Sequence, residues 1–355
     1  MTPLETEIRR IIAIEGPIPV DRYMELCLSH PQHGYYVTRD PLGAAGDFVT
    51  APEVSQMFGE LIGAWTATVW RQMGSPRHVQ LIELGPGRGT LMADALRAAK
   101  ALPEFHGALS VHMLETSRVL RGLQERSLAN TGVPLVWHLA IEQVLEGTTI
   151  AIANEFVDAL PISQFVKDRD GWHVRMVGIV DDKLAFLVAP DAMVSQSEGD
   201  ATPAGTILER RQDQPISLLA RRIAQHSGAA LIIDYGHTQS GFGDTLQAVR
   251  GHTFANPLEH PGEADLTAQV DFAAIATWAQ RQGAVTHGPV TQGRFLRRLG
   301  IEQRATRLKA NATSQQAADI DAALTRLTAP DQMGELFKVL AIAHPNLGPL
   351  PGFDS

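Results

Sequence analysis

The segment VQLIELGPGRGTLM, residues 79–92, holds the residues whose types and spacing point most directly to chemistry. An apolar run that reads as a strand ends in Glu83, then opens into Gly85, Gly87 and Gly89 before a helical pattern begins. A glycine turn between strand and helix lets the backbone approach a nucleotide-like ligand at a helix N-terminus. The spacing is G-x-G-x-G and not the dinucleotide G-x-G-x-x-G. Glu83 discriminates between the ligands such a loop holds. A carboxylate there repels a pyrophosphate, whereas S-adenosylmethionine (SAM) brings an ammonium and a sulfonium that an acid stabilises. Arg88 argues for phosphate unless it pairs with a carboxylate or faces solvent, and a tight turn without ligand is the bland alternative.

Glu115 ends the next apolar run, LSVHMLE. An acid at that strand tip accepts hydrogen bonds from ribose hydroxyls in nucleotide-binding α/β folds. It follows Gly89 by 26 residues, a long interval that the insert LPEFHGALS explains. A solvated strand end is the competing reading of Glu115 alone.

A later strand runs into ANEFVDALP, placing Asn154, Glu155 and Asp158 at a tip that faces the ligand crevice of an open parallel sheet. Carboxylates three residues apart, Glu155 and Asp158, could clamp a guanidinium. Alternatively Asn154 and Asp158 cap short turns while Glu155 faces water. LIIDYGH offers Asp234 and His237 at the next tip, where a structural histidine competes with a base. Asp271 reads as the cap of the helix FAAIATWAQRQG. No G-x-x-x-x-G-K-[ST], G-x-S-x-G or H-E-x-x-H occurs, and the 13 histidines lack ligand spacing, so no metal is expected.

These residues need elements to position them. HVQLIEL, LSVHMLE, VPLVWH, TTIAIAN and AALIIDYG read as strands separated by amphipathic helices, the pattern of a mostly parallel sheet covered on both faces. Residues 162–190 read instead as an antiparallel meander turning at Asp170–Gly171 and Asp181–Asp182. Upstream, TPLETEIRRIIAIEG and PVDRYMELCLSH are two helices, and TAPEVSQMFGELIGAWTATVWRQMG is one long helix opened by a Thr50–Glu53 capping box. The expected organisation is a helical cap and GDF loop over residues 1–75, then a ligand-binding domain over 76–355. That domain carries a β insertion at about 162–205 and a helical segment at about 292–330.

Composition narrows the partners. A hydrophobic share of 44% with 19% charged residues suits a globular α/β protein. A net charge of -9 argues against nucleic acid. The single cysteine, Cys27, excludes an internal disulfide and any CxxC metal site. Apolar stretches fall short of the roughly 20 residues needed to span a bilayer. The start MTPLETEIRR lacks a signal-peptide core and is acidic for a presequence, so the expected location is the cytoplasm of a bacterium.

Together these residues resemble the MidA-like proteins, whose mitochondrial members are arginine methyltransferases that assist respiratory complex I assembly. The stretches GYYVTRDPLGAAGDFVTAPEVSQMFGELIGAW, VQLIELGPGRGTLMADALR, ANEFVDALPISQF, GAALIIDYGH and GEADLTAQVDF carry the resemblance, in order. It implies a class I SAM-dependent methyltransferase fold, Rossmann-like, with an N-terminal helical cap and inserted antiparallel β elements. For the mitochondrial members it implies symmetric dimethylation of an arginine on a subunit related to bacterial NuoD. Glu83, Gly85, Gly87 and Gly89 then correspond to the SAM loop, Glu115 to the ribose acid and Asp47 to the methionine end of SAM, with Asn154 beside them. Glu155 and Asp158 stand where arginine methyltransferases keep paired carboxylates, and Asp234, His237 or Asp265 could supply a second contact. The expected activity is methyl transfer to a protein arginine. Competing readings are a SAM-binding assembly factor without turnover and a small-molecule or O-methyltransferase. The oligomeric state stays open, a homodimer included.

Overall fold

The apolar runs assemble into one sheet whose seven long strands are β1 (Val79–Leu84), β2 (Leu109–Leu114), β3 (Leu135–His138), β4 (Thr149–Asn154), β5 (Gly228–His237), β6 (Val285–Thr291) and β7 (Phe337–Ala343). The computed structural model describes residues 1–38, 49–193 and 202–353. The strand order is β3-β2-β1-β4-β5-β7-β6. Strands β1 to β5 pair in parallel, while β7 runs antiparallel between β5 and β6. The order reverses between β1 and β4, and the crevice at the carboxyl ends of those strands is where open α/β sheets take their ligands. This is the expected α/β class with a mostly parallel sheet.

Burial explains the sequence pattern. Every residue of β4 is buried, so TIAIAN reads as an unbroken run rather than an alternation. Each fully buried Ile or Leu contributes about 1.5–3 kcal/mol relative to exposure. The helices Gln56–Gln72 and Thr90–Ala99 pack against each other at Gly63, where a Cβ would stand 2.5 Å from the Ala95 carbonyl oxygen. Gly63→Ala would therefore force these helices apart.

The chain divides into two compact units. The sheet lies in the unit Val49–Val157, Asp213–Gln239 and Val270–Ser355. The helix Gln56–Gln72, expected in an N-terminal cap, belongs to this unit. The three helices Gln292–Arg298, Ile301–Lys309 and Ser314–Thr328 fill the segment expected to be helical.

The other unit comprises Met1–Phe48, Asp158–Gln212 and Ser240–Gln269. Helices Pro3–Glu15 and Val20–Ser29 share a core with antiparallel strands through Leu4, Ile8, Tyr23, Met24, Ile162 and Val177. The expected meander is present as Ile162–Asp168, Gly171–Val180 and Lys183–Met193. Its second turn sets Asp181 and Asp182 at φ 47° and 58°, the paired left-handed conformation of a tight hairpin. A three-stranded sheet, Gln247–Arg250, Thr253–Ala255 and Asp265–Thr267, was not anticipated. No helix among the described residues is long and apolar enough to cross a membrane.

One local expectation is corrected. The helix from Thr50 is two helices, Ala51–Val54 and Gln56–Gln72, broken where Ser55 turns extended and caps the second through the Met57 N–H. Thr50 forms no side-chain cap, and Glu53 accepts the Thr90 hydroxyl (2.5 Å) instead of closing a capping box.

Candidate active site

The glycine turn joins β1 to the helix Thr90–Ala99 at the reversal of strand order. Gly85, Gly87 and Gly89 all adopt left-handed φ, at 64°, 53° and 80°. Gly85 is doubly constrained, because a Cβ would lie 2.7 Å from Cδ2 of Phe156. Gly89 caps the helix without a side-chain acceptor, leaving first-turn N–H groups to face an anion. The Arg88 guanidinium beside this turn lies 4.0 Å from a Glu53 carboxylate oxygen.

Glu83 occupies the penultimate position of β1 and is buried, 3% exposed. Its Oε2 has no hydrogen-bond partner among the described residues. Burial, with the Glu115 charge nearby, pushes the Glu83 carboxyl up to about 8. A buried carboxylate oxygen without a donor is costly unless the group stays protonated or meets a cation.

Glu115 follows β2 and is held from two sides. Its Oε1 accepts the Ser117 N–H (2.7 Å) and its Oε2 accepts Nε2 of Gln124 (3.0 Å). Burial raises its pKa, opposed by these same bonds. Gln124, fully buried, also donates to the Gly87 carbonyl (2.7 Å) and accepts Nε1–H of Trp137 (2.8 Å). This glutamine therefore ties the glycine turn to the strand-end acid. Sequence reading missed it, since it sits unremarked in the helical run SRVLRGLQERSLAN.

On the other side of β1, β4 ends at Asn154 with Leu84 opposite Ala153. Glu155 takes a left-handed φ of 49°, rare for a residue with a side chain, and its N–H donates to the Ile233 carbonyl (2.9 Å). Its Oε1 accepts the Ala51 N–H (3.0 Å) and Nδ2 of Asn154 (3.2 Å). Asp234, fully buried in β5, accepts the N–H groups of Val157 (3.0 Å) and Tyr235 (2.9 Å), bracing the loop after β4. His237 closes β5 with Nδ1 placed 3.3 Å from the Val270 carbonyl oxygen.

The structure thus gathers Glu83, the three glycines, Glu115, Asn154, Glu155, Asp234 and His237 along the carboxyl edge of one sheet. Asp158 belongs to the other unit, where its Oδ1 accepts the Ala159 N–H (2.9 Å). Asp265, in that same unit, accepts the Tyr36 hydroxyl (2.8 Å). Asp271 caps its helix through the Ala274 N–H, as expected. Asp47 lies outside the described residues. Among the described residues no cluster of three or more metal-ligating side chains occurs.

Residues 61–290 match a family model described as "Putative S-adenosyl-L-methionine-dependent methyltransferase". A relative named protein arginine methyltransferase NDUFAF7 homolog, mitochondrial, from Drosophila melanogaster is 37% identical, covering 99% of this chain and 88% of that protein. The Homo sapiens protein arginine methyltransferase NDUFAF7, mitochondrial, is 36% identical over 96% of this chain and 83% of its own. A crystal structure from Burkholderia thailandensis, bound to S-adenosyl-homocysteine, is 29% identical with a TM-score of 0.82, covering 99% of this chain and 92% of that chain. The expectation of a bacterial cytoplasmic protein is overturned by the two NDUFAF7 relatives, which are named as mitochondrial proteins.

Proposed function

The chain belongs to this family of SAM-dependent methyltransferases, and from that premise we propose that it methylates an arginine side chain of a protein. The cofactor half is carried by Glu83, whose buried, unpartnered Oε2 calls for a cation beneath the glycine turn. The acceptor half rests on the near full-length likeness to proteins named as protein arginine methyltransferases. The resemblance to complex I assembly methyltransferases points to a NuoD-like subunit as the substrate.

The residues present fit SAM. Gly85 leaves the space that a Cβ would take against Phe156, the open N-terminus at Gly89 suits a carboxylate, and Glu83 suits the ammonium. Glu115 keeps lone pairs for ribose hydroxyls while Gln124 and Ser117 hold its orientation. Bound SAM supplies an electrophilic methyl group: the acceptor nitrogen's lone pair forms the C–N bond, the C–S bond breaks with its electrons on sulfur, and S-adenosylhomocysteine remains. The chain's task is alignment and electrostatic support. Asn154 meets the acceptor, Glu155 orients the Asn154 amide, Asp234 steadies their loop, and His237 receives the departing proton. With its Nδ1–H toward the Val270 carbonyl, His237 keeps the Nε2 lone pair for that proton.

Incubating the purified chain with methyl-labelled SAM and lysate of the source organism tests this. The expected result is label on an arginine side-chain nitrogen, located by mass spectrometry, with matching S-adenosylhomocysteine. Label only on carboxyl or hydroxyl oxygens contradicts the acceptor. SAM binding without any S-adenosylhomocysteine would identify an assembly factor instead.

A further inference from the structure

Asn154 is 8% exposed, and its Oδ1 is buried with no hydrogen-bond partner among the described residues. The direction of this amide is fixed. Its Nδ2 donates to Glu155 Oε1, the same oxygen that accepts the Ala51 N–H. A carboxylate oxygen only accepts, so reversing the amide would set two acceptors against each other. Glu155 is itself held by its left-handed backbone and its N–H bond to Ile233. The result is a buried acceptor of defined direction, at the end of β4, beside the point where the strand order reverses.

We infer that Asn154 Oδ1 accepts a hydrogen from the nitrogen to be methylated, and that Glu155 is the positioning residue that orients the amide. This rests on the reading that the acceptor is a protein arginine, and it supplies a reason for nitrogen over oxygen. A carboxylate or phenolate brings no hydrogen and would turn lone pairs toward Oδ1. A guanidinium brings several in-plane N–H groups. Holding one in-plane hydrogen orients the guanidinium plane, which aims the nitrogen's out-of-plane electron pair at the methyl carbon. That pair forms the C–N bond, the C–S pair departs to sulfur, and the nitrogen releases one proton, which passes to water. Glu83, ionised on pairing, takes the cofactor's cation, whereas the neutral Asn154 selects a hydrogen-bearing acceptor.

The test compares Asn154→Ala, Glu155→Ala and Glu155→Gln with the wild type. Calorimetry reads SAM affinity, and labelling of lysate proteins with methyl-labelled SAM reads the transfer rate. Asn154→Ala is expected to hold the SAM Kd within about twofold while transfer falls about 100-fold, the scale of a lost transition-state hydrogen bond. Glu155→Ala should fall with it. Glu155→Gln, which still places an oxygen where Oε1 stands, should recover transfer to within about fivefold of wild type. Three results would overturn the inference. A Kd for SAM raised about tenfold in Asn154→Ala would assign the amide to the cofactor. Collapse of Glu155→Gln would show that the charge itself is required. Wild-type-like transfer by Asn154→Ala would remove its role, whereas a wild type that labels no nitrogen would fail the reading on which the inference rests.

Discussion

Glu83→Gln is expected to lower SAM affinity about 10- to 100-fold, the value of one charge-assisted hydrogen bond in a desolvated site. The substitution keeps the shape of the side chain, replaces one carboxyl oxygen by an amide NH2 and removes the ability to become anionic. Its second effect is on pH dependence. The Glu83 carboxyl is raised from an ordinary 4.5 to about 8 in the folded chain, by burial first and by the Glu115 charge second. Between those values the folded chain holds a proton that the unfolded chain has released. Stability of the ligand-free protein therefore declines as pH rises through that window. In Glu83→Gln this contribution to the slope disappears. Thermal unfolding of both proteins from pH 5 to pH 8.5, with calorimetric titration of SAM, reads both effects. Unchanged affinity together with an unchanged slope would remove Glu83 from the cofactor site.

Gly85→Ala should be nearly as damaging, for a steric reason instead of an electrostatic one. The φ of 64° disfavours any residue with a Cβ by about 1–2 kcal/mol. The new carbon would also stand 2.7 Å from the Phe156 ring, so the ring or the turn must shift. Phe156 follows Glu155, so the displacement reaches the acceptor side as well as the cofactor side. A loss of SAM affinity of about 100-fold is expected, from roughly 2–3 kcal/mol of combined strain. Adding Phe156→Ala should restore part of that loss, because it relieves the clash but not the φ. Gly107→Ala is the control: its Cβ meets nothing within 4 Å on the helix Pro103–Ala108, so it should bind SAM as wild type does. Equal binding by Gly85→Ala would mean that the turn does not cradle the ligand.

Much of the framework was legible because its signals are local. Runs such as TIAIAN and ALIID lie in strands buried on both faces, so continuous apolarity and parallel pairing coincide. The Asp181–Asp182 turn and the Asp271 cap are set by backbone preferences of neighbouring residues. Glu83 was legible because its place in β1 follows directly from the strand pattern.

Other features depend on residues far apart in sequence. The run FKVLAIA forms a strand, but nothing in it specifies antiparallel insertion between β5 and β6. The unit built from Met1–Phe48, Asp158–Gln212 and Ser240–Gln269 draws on three separate stretches, so no single boundary in the sequence marks it. The Thr50–Glu53 capping box failed because both ends of that helix find distant partners: Glu53 bonds Thr90 and Glu155 accepts the Ala51 N–H. Spacing suggested that Glu155 and Asp158 act as a pair. Val157, between them, is tied to Asp234, a contact that their spacing does not encode. Gln124 has no motif; its importance appears only when the helix carrying it is placed beside Gly87 and Glu115.

The central claim is that a buried acid under the glycine turn selects a cationic cofactor, and proton release on binding tests it most directly. Burial, and then the Glu115 charge, push the Glu83 carboxyl up to about 8, which favours its protonated form at pH 7 in the ligand-free chain. Ion pairing with SAM must ionise it. Calorimetric titration of SAM at pH 7, in buffers of different ionisation enthalpy, should show net proton release on binding in the wild type and less in Glu83→Gln. Tight SAM binding with no proton released by the wild type would contradict the account.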